Sequence, residues 1–319
     1  MDYRQYTLLD NLYNLLLDSS HTHINTLSAK LQLNNEAIDK LLSVLSYMGL
    51  DICRSADIVQ VKNKFDSIDL NLLTTTLSQA QIHKSINYYF STTSTNKKAK
   101  EATNPAIYLS EHQSAGMGRK EKKWLTPLGQ SIALSITHDF EFGLGQLSGL
   151  NIATGVAIIN TAKKCGCSSL GLKWPNDVLG SQGKVAGILI EASGNNQSCH
   201  VIIGIGVNWS VTESLLDTIE QDCMNIEIKS FSRTEFIAQL IIEVETIIAE
   251  FAQNRLINIQ SNWQKHDLFI NQTITVLQDN KHWQAKYIGI NQQGCLQVAT
   301  TQGMKTLTNG EVSIALIPI

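Results

Sequence analysis

Five short runs of apolar and β-branched residues follow one another along the middle of the chain, in the order INYYF, AIYLSE, SIALSI, GILIEA and VIIGIGVNW. Each has the length and composition of a single strand. Two longer segments, residues 147–164 and 234–256, instead carry apolar residues at helical spacing. Strands in this number need a sheet, and amphipathic helices need a face to pack against. The sequence therefore predicts a mixed α/β domain.

The N-terminal segment has a different pattern. Residues 8–17 and 24–31 have helical spacing, and a third helix is predicted between an asparagine cap at Asn34 and a glycine cap at Gly49. Two alternating segments, LDICR and DIVQVK, then predict a hairpin. This order is typical of a winged helix-turn-helix, here residues 1–64, although other small helical modules share it.

The C-terminal segment reads as short strands alone. QTITVL, HWQAKYIGI, CLQVAT and VSIALIPI are separated by Gly or Asn turns. They predict a small β-barrel at residues 269–319, which leaves residues 65–268 as the central domain.

Composition excludes several classes of protein. With 319 residues, 43% of them hydrophobic, the chain can build two or three cores, and a net charge of -3 gives no overall attraction for nucleic acid. The densest basic cluster is Arg119, Lys120, Lys122 and Lys123. The six cysteines lack zinc-site spacing. Without a signal-like start or a run of about 20 apolar residues, we expect a cytoplasmic protein with no membrane partner.

The segment SEHQSAGMGRKEKKW combines two close glycines with a cluster of cations and a tryptophan. Glycines let backbone approach a ligand, and cations neutralise phosphate and the charge that develops in phosphoryl or adenylyl transfer. The motif therefore suggests a nucleotide loop. A solvated loop whose charges keep it soluble explains the same residues.

A second group of polar residues lies around a proline turn, in GLKWPNDVL and GKVAGILIE. Asn176 and Asp177 are oxygen donors of the kind that contact phosphate-bound magnesium or a ribose, and Lys184 adds a positive charge at the start of a strand. A surface turn with unrelated charges is the alternative. The Trp174–Pro175 pair favours a built site over a simple turn.

Two further segments complete a predicted pocket. STN at residues 94–96 offers hydroxyl and amide groups, and GIGVN at residues 204–208 has glycines that leave room for a small planar ligand. Taken singly, STN is as typical of a turn or helix cap, and the glycines of a bulge.

In their order and spacing, STN, EHQSAGMGR with its downstream tryptophan, KWPND, GKVAGILIE and GIGVN resemble the biotin protein ligase family. The similarity covers residues 94–208, continues through NWQKHD and fits the C-terminal barrel. It implies a central sheet related to class II tRNA synthetases, an SH3-like C-terminal barrel, biotin and ATP as substrates, and Mg²⁺ with the ATP. Members with an N-terminal winged helix act as ligase and as biotin-responsive repressor.

The resemblance assigns the predicted site residue by residue. The ureido head of biotin is assigned to Ser94, Thr95, Asn96 and Gln113. Biotin and its adenylate are assigned to the loop Gly116, Met117, Gly118 and Arg119, and to Lys184 and Gly187. ATP is assigned to Arg119, Trp124, Lys173, Asn176, Asp177, Lys184 and Asn208, with Trp124 as the adenine surface and Asp177 near magnesium. Lys184 and Arg119 are the expected catalytic residues.

One position departs from the family pattern. The loop usually reads G-R-G-R, and here Met117 replaces its first arginine. Methionine offers backbone N–H groups and an apolar cover but no charge, so Arg119 is expected to carry more of the electrostatic work.

The implied reaction joins biotin to AMP and then to a lysine of the biotin carboxyl carrier protein of acetyl-CoA carboxylase. A lipoate or octanoyl ligase is the nearest rival, and KWPND and the C-terminal barrel argue against it. The other rival is a DNA-binding regulator that only senses biotin. Such a protein would not need Lys184 and Arg119, which are both present here.

Operator DNA is a further expected partner, bound by a homodimer that forms with ligand. Asn34, Asn35 and Lys40 are the expected DNA contacts, whereas Glu36 and Asp39 oppose phosphate. A helical module with weak or no operator binding is the alternative.

Overall fold

The computed structural model describes residues 3–17, 21–62, 66–278, 281–308 and 313–316. The predicted boundary between the first two domains, at residues 64 and 65, lies outside these ranges, as do residues 317–319 at the end of the last predicted strand.

The N-terminal part contains three helices and a small antiparallel sheet. The helices are α1 (Tyr3–Leu17), α2 (Ile24–Leu31) and α3 (Asn35–Tyr47), and the strands β1 (Thr22–His23), β2 (Ile52–Ser55) and β3 (Ile58–Val61) pair in the order β1-β3-β2. Asn34 caps α3, because its side chain accepts the Ala37 N–H at 2.9 Å. Helix α3 ends with Met48 as its cap, and Gly49 follows at φ +104°, so the predicted cap was one residue late.

The N-terminal part packs against the central domain. Its apolar core includes Phe90 and Leu128 from that domain, and the Tyr13 and Phe90 rings meet edge to face with centroids 5.6 Å apart. The Leu128 N–H donates to the Met48 carbonyl at 2.8 Å, and Gln130 Nε2 donates to the Gly49 carbonyl at 2.6 Å. The two parts therefore share a core.

A seven-stranded mixed sheet forms the central domain, in the order β4-β5-β6-β10-β9-β8-β7. Its strands are β4 (Ser85–Thr92), β5 (Ala106–Gln113), β6 (Ser131–Phe140), β7 (Gly171–Lys173), β8 (Asp177–Gly180), β9 (Gly183–Gly194) and β10 (Cys199–Asn208). Strands β4 and β5 are parallel, and the other neighbours are antiparallel. All five predicted runs lie in this sheet, which confirms the mixed α/β prediction.

Within residues 66–278, which the structure describes without a gap, six α-helices accompany the sheet: α4 (Leu70–Gln79), α5 (Thr95–Lys100), α6 (Leu150–Lys164), α7 (Glu213–Leu216), α8 (Arg233–Asn254) and α9 (Gln260–His266). The two long predicted helices are α6 and α8, which pack on each other and on the sheet. Helix α8 starts with a capping box between Ser232 and Glu235. Helix α4 was not predicted, although Asp69 caps it by accepting the Asn71 and Leu72 N–H groups.

The C-terminal part is an all-antiparallel sheet in the order β14-β13-β12-β11-β15. Its strands are β11 (Thr273–Gln278), β12 (Lys281–Ile290), β13 (Leu296–Thr300), β14 (Gly303–Leu307) and β15 (Ser313–Leu316). The buried Trp174 indole joins it to the central domain, because Nε1–H donates to the Gly294 carbonyl at 3.0 Å. In the ranges that the structure describes, no helix has the length and apolarity to cross a membrane.

Candidate functional site

A cavity lies over strands β9 and β10, between the start of α5 and the loop of residues 116–124. It brings together most of the predicted site residues, namely Ser94, Thr95, Asn96, Gln113, Met117, Gly118, Arg119, Trp124, Asn176, Lys184 and Gly187. Segments that lie far apart in sequence therefore meet at one place.

One end of the cavity is polar and uncharged. Ser94, Thr95 and Asn96 are buried where β4 passes into α5. Gln113 Oε1 accepts the Thr95 backbone N–H at 2.8 Å, and its Nε2 donates to the Thr126 hydroxyl at 3.0 Å. The STN segment thus begins a helix, and its side chains also line the cavity.

Side chains of the site pack directly against the strand glycines. A β-carbon on Gly204 would lie 2.4 Å from Asn96 Oδ1, and one on Gly206 would lie 2.3 Å from the Trp124 ring. One on Gly187 would lie 3.0 Å from both the Lys184 side chain and Trp124. These glycines also line the cavity, and the side chains of Asn96 and Trp124 occupy part of the space that they leave.

Trp124 lies at the centre of this packing. Its ring lies 5.3 Å from the Lys184 ammonium, and its buried Nε1–H has no hydrogen-bond partner among the described residues. A buried donor without a partner is uncommon in folded proteins. The unused N–H is therefore available to an acceptor on a ligand.

The opposite end of the cavity is charged. Lys184 Nζ lies 2.7 Å from Asp177 Oδ1, and the side chains are only 14% and 16% exposed. Arg119 Nη1 donates to Asn176 Oδ1 at 3.1 Å. Burial lowers the pKa of Arg119, while the Asp177 carboxylate opposes that change. These cations are partly desolvated, which strengthens their attraction for an anion.

The glycine loop is folded back on itself. The Gly118 N–H donates to the Lys122 carbonyl at 2.7 Å, and the Trp124 N–H donates to the Gly116 carbonyl at 2.9 Å. Lys120 and Glu121 have φ values of +54° and +58°. The cavity left between the loop and the strands is about 50 Å³. The folded loop therefore leaves little free space above strands β9 and β10.

Four predicted residues lie outside the cavity lining. Gly116 is at the loop base, and Asp177 lies behind Lys184. Asn208 Nδ2 donates to the Lys184 and Met224 carbonyls at 3.1 and 3.3 Å, so this amide links two backbone segments. The Lys173 ammonium lies 5.7 Å from the Phe269 ring centre, and burial lowers the pKa of Lys173.

Sequence reasoning missed some lining residues and two residues behind them. Ala133, Leu134, Ile188 and Leu189 also line the cavity. Ser135 and Glu191 hydrogen-bond to Asn96 from strands β6 and β9. A signal existed in β6, where small or polar residues occupy alternate positions from Ser131 to Thr137 and so share one face.

The predicted DNA-contact residues lie around the start of α3. Asn34 is the helix cap, and Asn35 Oδ1 accepts the Ser28 hydroxyl at 2.6 Å. Lys40 Nζ lies 2.7 Å from Glu36 Oε1, both well exposed. Arg54 in β2 pairs with Asp39. Acidic side chains on α3 therefore neutralise both of these cations.

The part of the chain that carries this site is similar to known proteins. Residues 85–208 match the model of the biotin/lipoate A/B protein ligase family. The bifunctional ligase/repressor BirA of Escherichia coli is 30% identical over 214 residues, which are 65% of this chain and 65% of that protein. This match spans slightly less than two thirds of that relative. BirA of Salmonella typhimurium is 26% identical over 95% of this chain and 96% of its own length.

A solved structure has the same fold. The biotin protein ligase from Aquifex aeolicus, in complex with biotin and ATP, superposes with a TM-score of 0.61 at 21% identity. The match covers 74% of this chain and all of that one.

Proposed function

We propose that this chain, whose residues 85–208 belong to the biotin/lipoate A/B protein ligase family, is a biotin protein ligase. It activates biotin with ATP to biotinyl-5'-AMP and transfers biotin to a lysine of a biotin carboxyl carrier protein, that of acetyl-CoA carboxylase.

The observation that carries this proposal is the polarity of the cavity. Uncharged hydrogen-bonding groups of Thr95, Asn96 and Gln113 lie at one end, and Lys184 and Arg119 at the other. Biotin has the same polarity, with a neutral ureido ring at one end and a carboxylate at the other.

The residues supply electrostatics and position rather than acid–base chemistry. The biotin carboxylate attacks the α-phosphorus of ATP and pyrophosphate leaves. The carrier amine later attacks the acyl carbon, the amine loses a proton, and AMP leaves as the anhydride bond breaks. Two anions must approach each other in the first step. Lys184 and Arg119 offset that repulsion, and closure of residues 116–124 holds the product. Trp124 supplies the surface for adenine.

Magnesium belongs to this proposal as a companion of ATP. Among the described residues no group of three or more His, Cys, Asp or Glu side chains gathers to hold a metal. Asp177 and Asn176 offer one carboxylate and one amide oxygen, a donor set that suits a Mg²⁺ ion carried by phosphates. Such an ion neutralises charge on the triphosphate.

Mass spectrometry of a biotin carrier domain tests the proposal. After incubation with this protein, biotin and Mg-ATP, the carrier should gain one biotin. Parallel incubations with lipoate and octanoate test the rival ligases. A carrier that gains only one of those acyl groups, or nothing, contradicts the proposal.

A second candidate function is repression of transcription. The described part of residues 3–61 contains three helices and a small sheet, as a winged helix does. The alignment with the Salmonella ligase/repressor covers 95% of this chain and includes this part. We infer a ligand-dependent homodimer that binds operator DNA through Asn34, Asn35 and Lys40. Glu36 and Asp39 on α3 limit this binding, because they neutralise Lys40 and Arg54.

The finer domain assignments are also proposals. We assign residues 1–64 to a winged helix, 65–268 to a class II synthetase-like catalytic domain and 269–319 to an SH3-like barrel. The five antiparallel strands β11 to β15 support the last assignment.

A further inference from the structure

Lys173 lies beside the charged end of the cavity without an ion pair of its own. It stands opposite Asp177 in the register of β7 and β8. Burial lowers the pKa of Lys173, the Asp177 carboxylate opposes that change, and the charges of Lys184 and Lys122 add to it. Asp177 nevertheless pairs with Lys184 Nζ, at 2.7 Å. In the ranges that the structure describes, Lys173 forms no hydrogen bond or ion pair, so its charge stays available to a ligand.

The neighbour that holds the Lys173 ammonium is an aromatic ring. Lys173 Nζ lies over the ring of Phe269, 5.7 Å from its centre, and Phe269 is buried. The face of an aromatic ring is negative and attracts a cation, more strongly where water is excluded. The ring carries no net charge, so it holds the ammonium without neutralising it, as a carboxylate would.

Phe269 is itself fixed in place. Asp267 Oδ1 accepts the Phe269 N–H at 3.0 Å, and Asp267 Oδ2 accepts the Tyr287 hydroxyl at 2.7 Å. The Leu268 N–H donates to the Leu172 carbonyl at 3.1 Å, so this segment runs beside β7. The ring is therefore held next to the strand that ends with the lysine.

We propose that Phe269 is a positioning residue, whose ring keeps the Lys173 ammonium out of an ion pair with Asp177 and available to a phosphate of ATP. The inference rests on the proposed function, in which ATP binds at the charged end of the cavity. Phe269 acts through Lys173 and does not touch the nucleotide. The first residue of the proposed barrel domain thus serves the site of the central domain.

A phenylalanine with three ring fluorines, at the positions farthest from Cβ, tests the proposal at position 269. It keeps the shape and apolarity of the ring and removes the negative charge from its face. The flexible Lys173 side chain then turns to the Asp177 carboxylate, and ATP must break that pair. The KM for ATP should rise about three- to fivefold. The kcat and the KM for biotin should stay within about twofold, because phosphate is held equally before and during the reaction.

Two controls separate this role from packing. The same fluorinated residue in place of Phe236, which is buried against Trp209 at 5.4 Å between ring centroids, should leave the KM for ATP unchanged. Lys173→Met should raise the KM for ATP about tenfold or more, because a charged contact is lost. In the Lys173→Met background, fluorination of Phe269 should have no further effect, since no cation is left over the ring. A ring that only packs predicts the same effect of fluorination with and without Lys173.

Pyrophosphate release with biotin and ATP, after thermal melts that confirm folding, gives these constants. A wild-type KM for ATP in the protein fluorinated at Phe269, or an equal rise with and without Lys173, overturns the inference alone. Wild-type protein that releases no biotin-dependent pyrophosphate overturns the proposed function, and the inference with it.

Discussion

The amide of Asn96 lies against the backbone of Gly204, so close that a β-carbon at position 204 would stand 2.4 Å from the amide oxygen. Gly204→Ala should therefore displace Asn96 and raise the KM for biotin about tenfold or more, while the fold persists. Initial rates of pyrophosphate release measure this. The control is Gly145→Ala, because no atom lies within 4 Å of the added carbon. Equal kinetics in the two variants would mean that Asn96 plays no part in binding.

Lys184→Ala should reduce adenylate formation on the order of 10²–10³-fold, because it removes a partly buried charge that stabilises two anions. It also leaves Asp177 buried without its partner, which destabilises the fold. Lys184→Ala/Asp177→Asn should recover the thermal midpoint without recovering activity. Activity of the single variant within about threefold of wild type would remove Lys184 from the mechanism.

Arg119→Gly should release biotinyl-adenylate about tenfold faster, since it removes the hydrogen bond from the loop to Asn176, a bond from a charged donor. The free adenylate acylates lysines in solution, so bystander proteins should become biotinylated. A streptavidin blot measures this labelling. Lys120→Gly, which changes a loop cation that already has positive φ, should label the carrier alone. A blot of Arg119→Gly limited to the carrier would contradict loop closure.

With the proposed repressor function, DNA binding should be weak without ligand and stronger with biotin plus ATP, because ordering of the loop by ligand would favour a dimer. Glu36→Gln/Asp39→Asn should raise affinity for duplex DNA about three- to tenfold at low salt, since it frees Lys40 and Arg54 for phosphate. Mobility shifts on biotin-synthesis promoters and random DNA measure both effects. The matched control, Glu101→Gln/Asp217→Asn, neutralises acidic residues elsewhere. Equal affinity for both DNAs in every condition argues against a repressor.

The stability of the protein should depend on His112. Burial lowers the pKa of His112 to about 4, and its Nδ1 lies 2.8 Å from the Ser91 hydroxyl. The unfolded chain takes up this proton below about pH 6.5, whereas the folded chain does so only near its lowered pKa, so stability falls across that window as pH falls. Between about pH 6.5 and about pH 4, the melting temperature of wild type should fall on the order of 3 °C further than that of His112→Asn. An equal fall in melting temperature in the two proteins would mean that His112 does not set this pH dependence.

The sequence predicted the five long strands of the central sheet and the long helices, and the structure brings most of the predicted site residues to one cavity. Helix α2 occupies the predicted residues 24–31, and the predicted runs of the central domain all became strands of one sheet. Periodicity and caps are local properties of the sequence, so they can be recognised without knowing how the elements pack. The short strands β1, β7, β8 and β14 were not predicted, because pairing with a neighbour rather than composition makes them strands.

Sequence motifs did not identify the residues that support the site from behind. Asn208 was predicted near adenine, and the sequence did not show that its amide nitrogen donates to two carbonyls that only the fold brings together. Ser135 and Glu191 read as ordinary strand residues, and their contacts to Asn96 join positions 39 and 95 apart in sequence. Long-range hydrogen bonds of this kind leave no trace in local spacing.

The shared core of the N-terminal and central parts bears on how this protein can be dissected. Leu128 and Gln130 hold the N-terminal part through Met48 and Gly49, and Thr126, two residues earlier than Leu128, holds Gln113 at the cavity. A truncated chain that begins near residue 66 would present Phe90 and Leu128 to water and lose those two anchors. Removal of the N-terminal part should therefore itself change substrate binding. Kinetic constants measured on such a fragment should differ from those of the full chain.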